Sequence, residues 1–269
     1  MKNLPIGIFD SGIGGLTVAK ALNDSLPNES LIYFGDTAHL PYGDKSPDLL
    51  KKYVLNIVNF LLNCKVKAIV IACNTASAVA YEYLKGLFPN LLLFEVIQPA
   101  VQEAIANTKN QRIGVIGTRT TILSHVYLKK ILDQLPTAFV IEKATPLLVP
   151  MIEEGWIEDK LSKEIIEAYL SDTGFNHIDT LILGCTHYPL IRKEVELYFQ
   201  QNAIHFVQVI DSSIALAKQV RDFLSSQNLL NDNPNPNFQF FVSDLTDSFQ
   251  NTANLFFGKN INLEKIELS

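Results

Sequence analysis

The sequence predicts an α/β protein of two similar domains, each a mostly parallel sheet flanked by helices. Three observations predict it. Short β-branched runs alternate with segments of helical periodicity. The alternation then restarts, because Ile113-Gly114-Val115-Ile116-Gly117-Thr118 has the same pattern as Ile6-Gly7-Ile8-Phe9-Asp10-Ser11. Finally, each repeat ends a later strand in a cysteine at a matched distance: Ser11 to Cys73 spans 62 residues, and Thr118 to Cys185 spans 67. A period this long marks duplicated domains rather than a solenoid. A pseudo-two-fold relation is therefore expected, with the active site between the domains, where ligand pockets commonly form.

Taken in order, Ile6–Phe9 is a strand, and Asp10-Ser11-Gly12-Ile13-Gly14-Gly15 turns out of it into a helix over Leu16–Leu26. Leu31–Phe34 is the next strand. Asp48–Asn63 places Leu49, Tyr53, Ile57, Phe60 and Leu61 at helical spacing. Ala68–Ala72 is a strand, a helix follows to about Leu87, and Leu91–Val96 is another strand. Beyond the second repeat, Ser213–Leu224 reads as a helix, 231–237 as an Asn/Pro-rich loop, and Phe238–Val242 as a strand before a last helix to about Gly258. This tail is too short for a third domain and is expected to cross back and complete the first. The expected domains are 1–97 plus 211–269 and 98–210, with a hinge at the two crossings.

Composition narrows the function. With 48% hydrophobic residues the chain can build real cores, which excludes disorder. A net charge of −6 argues against a nucleic-acid partner or an anionic membrane surface. No run approaches the roughly 20 apolar residues that span a bilayer, and the start at Met1-Lys2-Asn3-Leu4-Pro5 lacks a signal peptide's apolar region. The expected compartment is the cytoplasm. The three cysteines include no C-x-x-C pair, which removes zinc-ribbon and thioredoxin readings. No residues show metal-ligand spacing. Gly12-Ile13-Gly14-Gly15 is not a dinucleotide fingerprint, since Thr17 stands where the third Gly belongs. No phosphate-binding G-x-x-x-x-G-K-[ST] occurs. Cys64, at a helix end, reads as a small buried hydrophobe, and Trp156 and most Phe as core or lid packing.

Cys73 and Cys185 read differently. Each ends an apolar strand, which places a thiol at the carboxyl edge of a sheet, where open α/β sheets bind ligands. A free thiol has a pKa of about 8.5, so little thiolate exists near neutral pH unless a helix N-terminus or a cationic neighbour stabilises it. A helix is expected to start directly after both cysteines. Asp10 either caps its turn or tunes Cys73, and His187, two residues past Cys185, is a natural orienting base. The Ser, Thr and Asn residues around both thiols suit an anionic amino acid or diacid.

These stretches resemble a known family. Gly7–Thr17, Tyr33-Phe34-Gly35-Asp36-Thr37-Ala38, Leu40-Pro41-Tyr42-Gly43, Ile71-Ala72-Cys73-Asn74-Thr75-Ala76-Ser77-Ala78, Val115–Thr118, Val149–Gly155 and Leu183-Gly184-Cys185-Thr186-His187-Tyr188-Pro189-Leu190 are similar, in order, to the glutamate racemases of the cofactor-independent aspartate/glutamate racemase superfamily. The resemblance implies racemisation of glutamate by two bases, Cys73 acting on D-glutamate and Cys185 on L-glutamate, assisted by Asp10 and His187 respectively. It implies that Ser11, Asn74, Thr75, Thr118, Thr121 and Thr186, with backbone at Tyr42 and Gly43, hold the substrate. It puts Glu153 near the substrate ammonium or His187. It further implies D-glutamate for peptidoglycan, no cofactor and no metal, and it leaves a homodimer open. Two rivals remain: a relative acting on aspartate or another diacid, and a binding protein, since some family members inhibit DNA gyrase. One departure stands out, because many relatives have Cys where this chain has Thr145.

Overall fold

The structure, a computed structural model, describes residues 2–203, 205–232 and 234–268, so Asn233 in the Asn/Pro-rich loop lies outside it. The chain divides into two compact units, Met1–Val96 with Leu216–Ser269, and Ile97–Ala215. Unit one contains β1 (Ile6–Asp10), α1 (Leu16–Ser25), β2 (Leu31–Gly35), α2 (Pro47–Asn63), β3 (Ala68–Ile71), α3 (Asn74–Leu87) and β4 (Leu93–Glu95). Unit two contains α4 (Ile97–Asn107), β5 (Arg112–Gly117), α5 (Arg119–Leu123), α6 (Val126–Gln134), β6 (Phe139–Ala144), α7 (Leu148–Glu153), α8 (Lys160–Leu170), β7 (Thr180–Gly184), α9 (Arg192–Asn202) and β8 (Gln208–Asp211). Helix α10 (Ser212–Ser226) carries the chain from one unit into the other, and β9 (Phe238–Val242), α11 (Asp247–Phe257) and β10 (Leu263–Lys265) follow.

Both sheets are parallel. Unit one has the strand order β10-β9-β2-β1-β3-β4 and unit two has β6-β5-β7-β8. The block β2-β1-β3-β4 is thus repeated as β6-β5-β7-β8, and the internal similarity of the sequence corresponds to a repeated topology. Strands β1, β3 and β7 are buried along their whole length. That is why they read as unbroken apolar runs and not as alternating ones. In each sheet the chain order reverses beside the first strand of the block, between β1 and β3 and between β5 and β7. The carboxyl ends at such a switch point leave a crevice for ligands.

Local chemistry accounts for the elements that frame this edge. Helix α2 starts where the Ser46 side chain accepts the Leu49 N–H and Pro47 occupies the first turn. Its buried stripe of Leu50, Val54, Ile57, Val58 and Leu61 shares a core cluster with Ala76, Ala80 and Leu84 of α3 and with Ile69 and Ile71 of β3. The tail extends the same sheet, as β9 pairs with β2 and β10 with β9. Two expectations need correction. Trp156 is 46% exposed, which removes the core alternative of its core-or-lid reading. No α-helix starts at Cys185: a short 3₁₀ turn over Tyr188–Ile191 comes first and α9 begins only at Arg192. Pro189 explains the difference, because it fixes φ and offers no N–H.

Candidate active site

In unit one, the carboxyl ends of β1 and β3 bring Asp10, Ser11 and Cys73 together. Asp10 is fully buried, and its Oδ2 accepts the backbone N–H groups of Gly12 at 3.0 Å and Gly15 at 2.9 Å. Its carboxylate therefore organises the turn into α1. The turn tolerates no larger residue at Gly15, where a Cβ would lie 2.4 Å from Asp10 Cβ and 3.0 Å from Ala72 Cβ. Tyr33, fully buried, donates its O–H to Gly12 O at 2.8 Å. Burial pushes the Tyr33 hydroxyl well above its ordinary range, and the charges of Asp10 and Cys73 add to this, so it remains a donor.

Cys73 is the N-cap of α3. Its Sγ accepts the Ala76 N–H at 3.4 Å, and the thiol donates to Ser11 Oγ at 3.5 Å. A negative charge on this sulfur would face the positive end of a 14-residue helix. Asn74 and Thr75, buried, open the same helix. Nearby, after the cis Leu40–Pro41 bond, Tyr42 and Gly43 sit in a short 3₁₀ turn. The Tyr42 O–H donates to Asp36 Oδ2 at 2.6 Å, and Ser243 donates to Oδ1 of the same carboxylate at 2.8 Å. The Tyr42 side chain is thus committed inward, consistent with a role for backbone alone at Tyr42 and Gly43.

In unit two, the ends of β5 and β7 repeat the arrangement with different helpers. Thr118 caps α5, and its Oγ1 lies 3.0 Å from Thr121 Oγ1. Cys185 and Thr186 are buried just past β7. Cys185 Sγ lies 3.8 Å from His187 Nδ1, and His187 Nε2 lies 3.0 Å from Glu153 Oε1 at the end of α7. Burial alone would push the His187 imidazole down. Hydrogen bonds to Cys185 and Glu153, with the charges behind them, outweigh it and hold the group up at about 10. The imidazolium is thereby placed as a charge partner for a Cys185 thiolate.

The two sheet edges differ in how each sulfur is served: Cys73 by a helix N-terminus and Ser11, Cys185 by His187. Every residue proposed from the sequence lies at one of these two sheet edges or on the element adjoining it. The sequence reading missed Tyr33, Asp36 and Tyr188 as site-building residues. Asp36 directly follows a strand, as Asp10 ends one, and that parallel was the available signal. Among the described residues, no group of three His, Cys, Asp or Glu is placed to hold a metal ion, and no helix is long and apolar enough to cross a membrane.

Comparison with known proteins gives a consistent result. The sequence profile of the Asp/Glu/Hydantoin racemase family matches residues 16–220. A glutamate racemase of Neisseria meningitidis serogroup C is 42% identical over 268 residues, covering 99% of this chain and 97% of that protein. One of Aquifex aeolicus is 42% identical over 258 residues, covering 96% of each. Among solved structures, the glutamate racemase of Francisella tularensis in complex with D-glutamate superposes with a TM-score of 0.92 at 37% identity, covering 100% of this chain and 99% of that one. A glutamate racemase isoform of Bacillus anthracis gives a TM-score of 0.94 at 34% identity, with the same coverage.

Proposed function

Because the chain belongs to the Asp/Glu/Hydantoin racemase family, and within it to the glutamate racemases, we propose that its two strand-end thiols carry out the reaction. It interconverts L- and D-glutamate. In our reading, the Cys185 thiolate takes the α-proton from L-glutamate, and the Cys73 thiol delivers a proton to the opposite face. The reverse reaction starts from a Cys73 thiolate and D-glutamate. Each turnover leaves one sulfur protonated and the other ionised, so the resting state is restored by a turnover in the other direction or by exchange with water.

The α-proton of an amino acid is very weakly acidic, and a general base alone supplies only about 10²–10⁴-fold. The remaining stabilisation must come from donors aimed at the developing carbanion and its carboxylate. Ser11, Asn74, Thr75, Thr118, Thr121 and Thr186, with the backbone of Tyr42 and Gly43, are the candidates. Asp10 and the His187–Glu153 pair tune the two thiols. We assign the product to peptidoglycan synthesis in the cytoplasm, on the strength of the family alone.

One observation carries this reading: two buried thiols at equivalent positions of a repeated topology, one capping a helix and one hydrogen-bonded to a buried histidine. The test is Cys73→Ser and Cys185→Ser, assayed with both enantiomers of glutamate and aspartate. Each variant should lose at least about 100-fold in kcat with glutamate, the low end of a general base's contribution. Normal racemisation by either variant would overturn the two-base reading, and faster turnover of aspartate by the wild type would overturn the substrate.

A further inference from the structure

His187 contacts Cys185 and Glu153, and the backbone of both partners leads to one residue, Thr145. The Thr145 carbonyl accepts the Leu148 N–H at 3.1 Å, which starts α7 and so places Glu153. The same carbonyl accepts the Tyr188 O–H at 3.3 Å. The Thr145 hydroxyl donates to Gly117 O at 3.3 Å and lies 2.6 Å from the Tyr188 oxygen. The Thr145 N–H also donates to Gly117 O, at 2.9 Å. Gly117 precedes Thr118 and pairs with both Ala144 and Gly184 across the sheet.

Tyr188 transmits this anchor to the thiol. Its N–H donates to Cys185 O at 3.1 Å, closing a turn with Cys185, Thr186 and His187 inside it. Its ring is fully buried, as is Thr145, so neither hydroxyl can exchange its partner for bulk water. Gly184, at the other end of the turn, has no room to yield, since a Cβ there would lie 2.7 Å from Ile116 O. The turn is therefore held at both ends, rigidly by β7 and through two hydroxyls by Thr145.

We propose that Tyr188 and Thr145 are positioning residues for Cys185 and His187, setting the thiol of unit two through their paired hydroxyls. The inference rests on the two-base reading above and adds to it a cause for the geometry of Cys185. A buried donor left without its acceptor is costly, and a displacement of about 1 Å at a catalytic group can cost about 100-fold.

The test uses Tyr188→Phe, Thr145→Val and Thr145→Ser in the full chain, alongside Cys185→Ser. Tyr188→Phe and Thr145→Val should lower kcat in both directions by between about 5- and 100-fold, with Thr145→Ser restoring most of it. The discriminating readout is the primary isotope effect with α-deuterated substrate. If only the Cys185 side is displaced, the effect should rise for L-glutamate and fall for D-glutamate, as it should more strongly in Cys185→Ser. A merely structural role would lower activity without that asymmetry, and wild-type isotope effects in folded Tyr188→Phe and Thr145→Val overturn the proposal. Should Tyr188→Phe fail to fold, the two Thr145 variants decide alone: Val without asymmetry, or Ser no better than Val, overturns it. If Cys185→Ser itself keeps normal activity, the two-base reading has failed instead.

Discussion

At the scale of single residues, His187 shows how opposing terms settle a charge state. Desolvation favours neutral imidazole, but two hydrogen-bonded partners, Cys185 and Glu153, hold the proton on the ring up to about 10. An unfolded histidine titrates near 6.5. A folded pKa above the unfolded one contributes stability that is complete below about 6.5 and disappears as pH rises through about 10. Wild-type protein should therefore lose stability across that window. His187→Asn should lose less, because the linked proton is gone. Glu153→Gln, which removes the negative charge beside the ring, should shift the loss to lower pH. Urea melts at pH 6.5, 8 and 10 check all three, and identical pH slopes for wild type and His187→Asn would refute the argument.

At the scale of elements, the turn from β1 to α1 and helix α3 contain glycines with opposite meanings. A methyl group at Gly15 would meet Asp10 and Ala72, so Gly15→Ala must push the turn away from the carboxylate that organises it. Overpacking of this kind costs about 1–3 kcal/mol, and it should lower kcat as well, because Ser11 sits in the same turn. At Gly86, inside α3, nothing lies within 4 Å. Gly86→Ala should instead stabilise the protein by about 0.5–1 kcal/mol through helix propensity, with activity unchanged. Thermal melts with racemisation assays on both variants test the pair.

The same elements show what was legible beforehand. Strands β1, β3 and β7 were readable because burial on both faces leaves unbroken apolar runs. β6 was not, as Glu142 and Lys143 interrupt a half-buried edge strand, and neither was the three-residue β10. The thiols and their adjoining polar residues could be picked out locally. The Glu153–His187 pair, 34 residues apart, could come only from the family resemblance. The Thr145–Tyr188 pair, separated by 43, carries no local signal at all.

At the scale of the whole molecule, unit one is assembled from both ends of the chain, and a buried ion pair sits where those ends meet. Lys67 Nζ lies 2.6 Å from Glu29 Oε2, with the two side chains 0% and 1% exposed. The ammonium also donates to Lys2 O at 2.9 Å and to Leu229 O at 2.8 Å, and Glu29 Oε1 accepts the Asn231 N–H at 2.8 Å. The pair thus joins the start of the chain, the entries to β2 and β3, and the segment returning toward β9. Removing one partner of a buried pair leaves an uncompensated charge, which typically costs about 3–5 kcal/mol, whereas replacing both by apolar residues of similar size is often neutral. Lys67→Met should therefore destabilise the protein by that amount, and Lys67→Met combined with Glu29→Leu should recover much of it. The recovery should be incomplete, because Leu229 O loses the Lys67 ammonium in both variants and the Asn231 N–H loses Glu29 Oε1 in the double one. Since neither residue lies among the candidate active-site groups, kcat measured at a temperature where the variants remain folded should stay at the wild-type value. Chemical denaturation of the three proteins decides the matter: a loss below about 1 kcal/mol in Lys67→Met, or a double variant less stable than the single one, would show that the pair does not hold the two chain ends together.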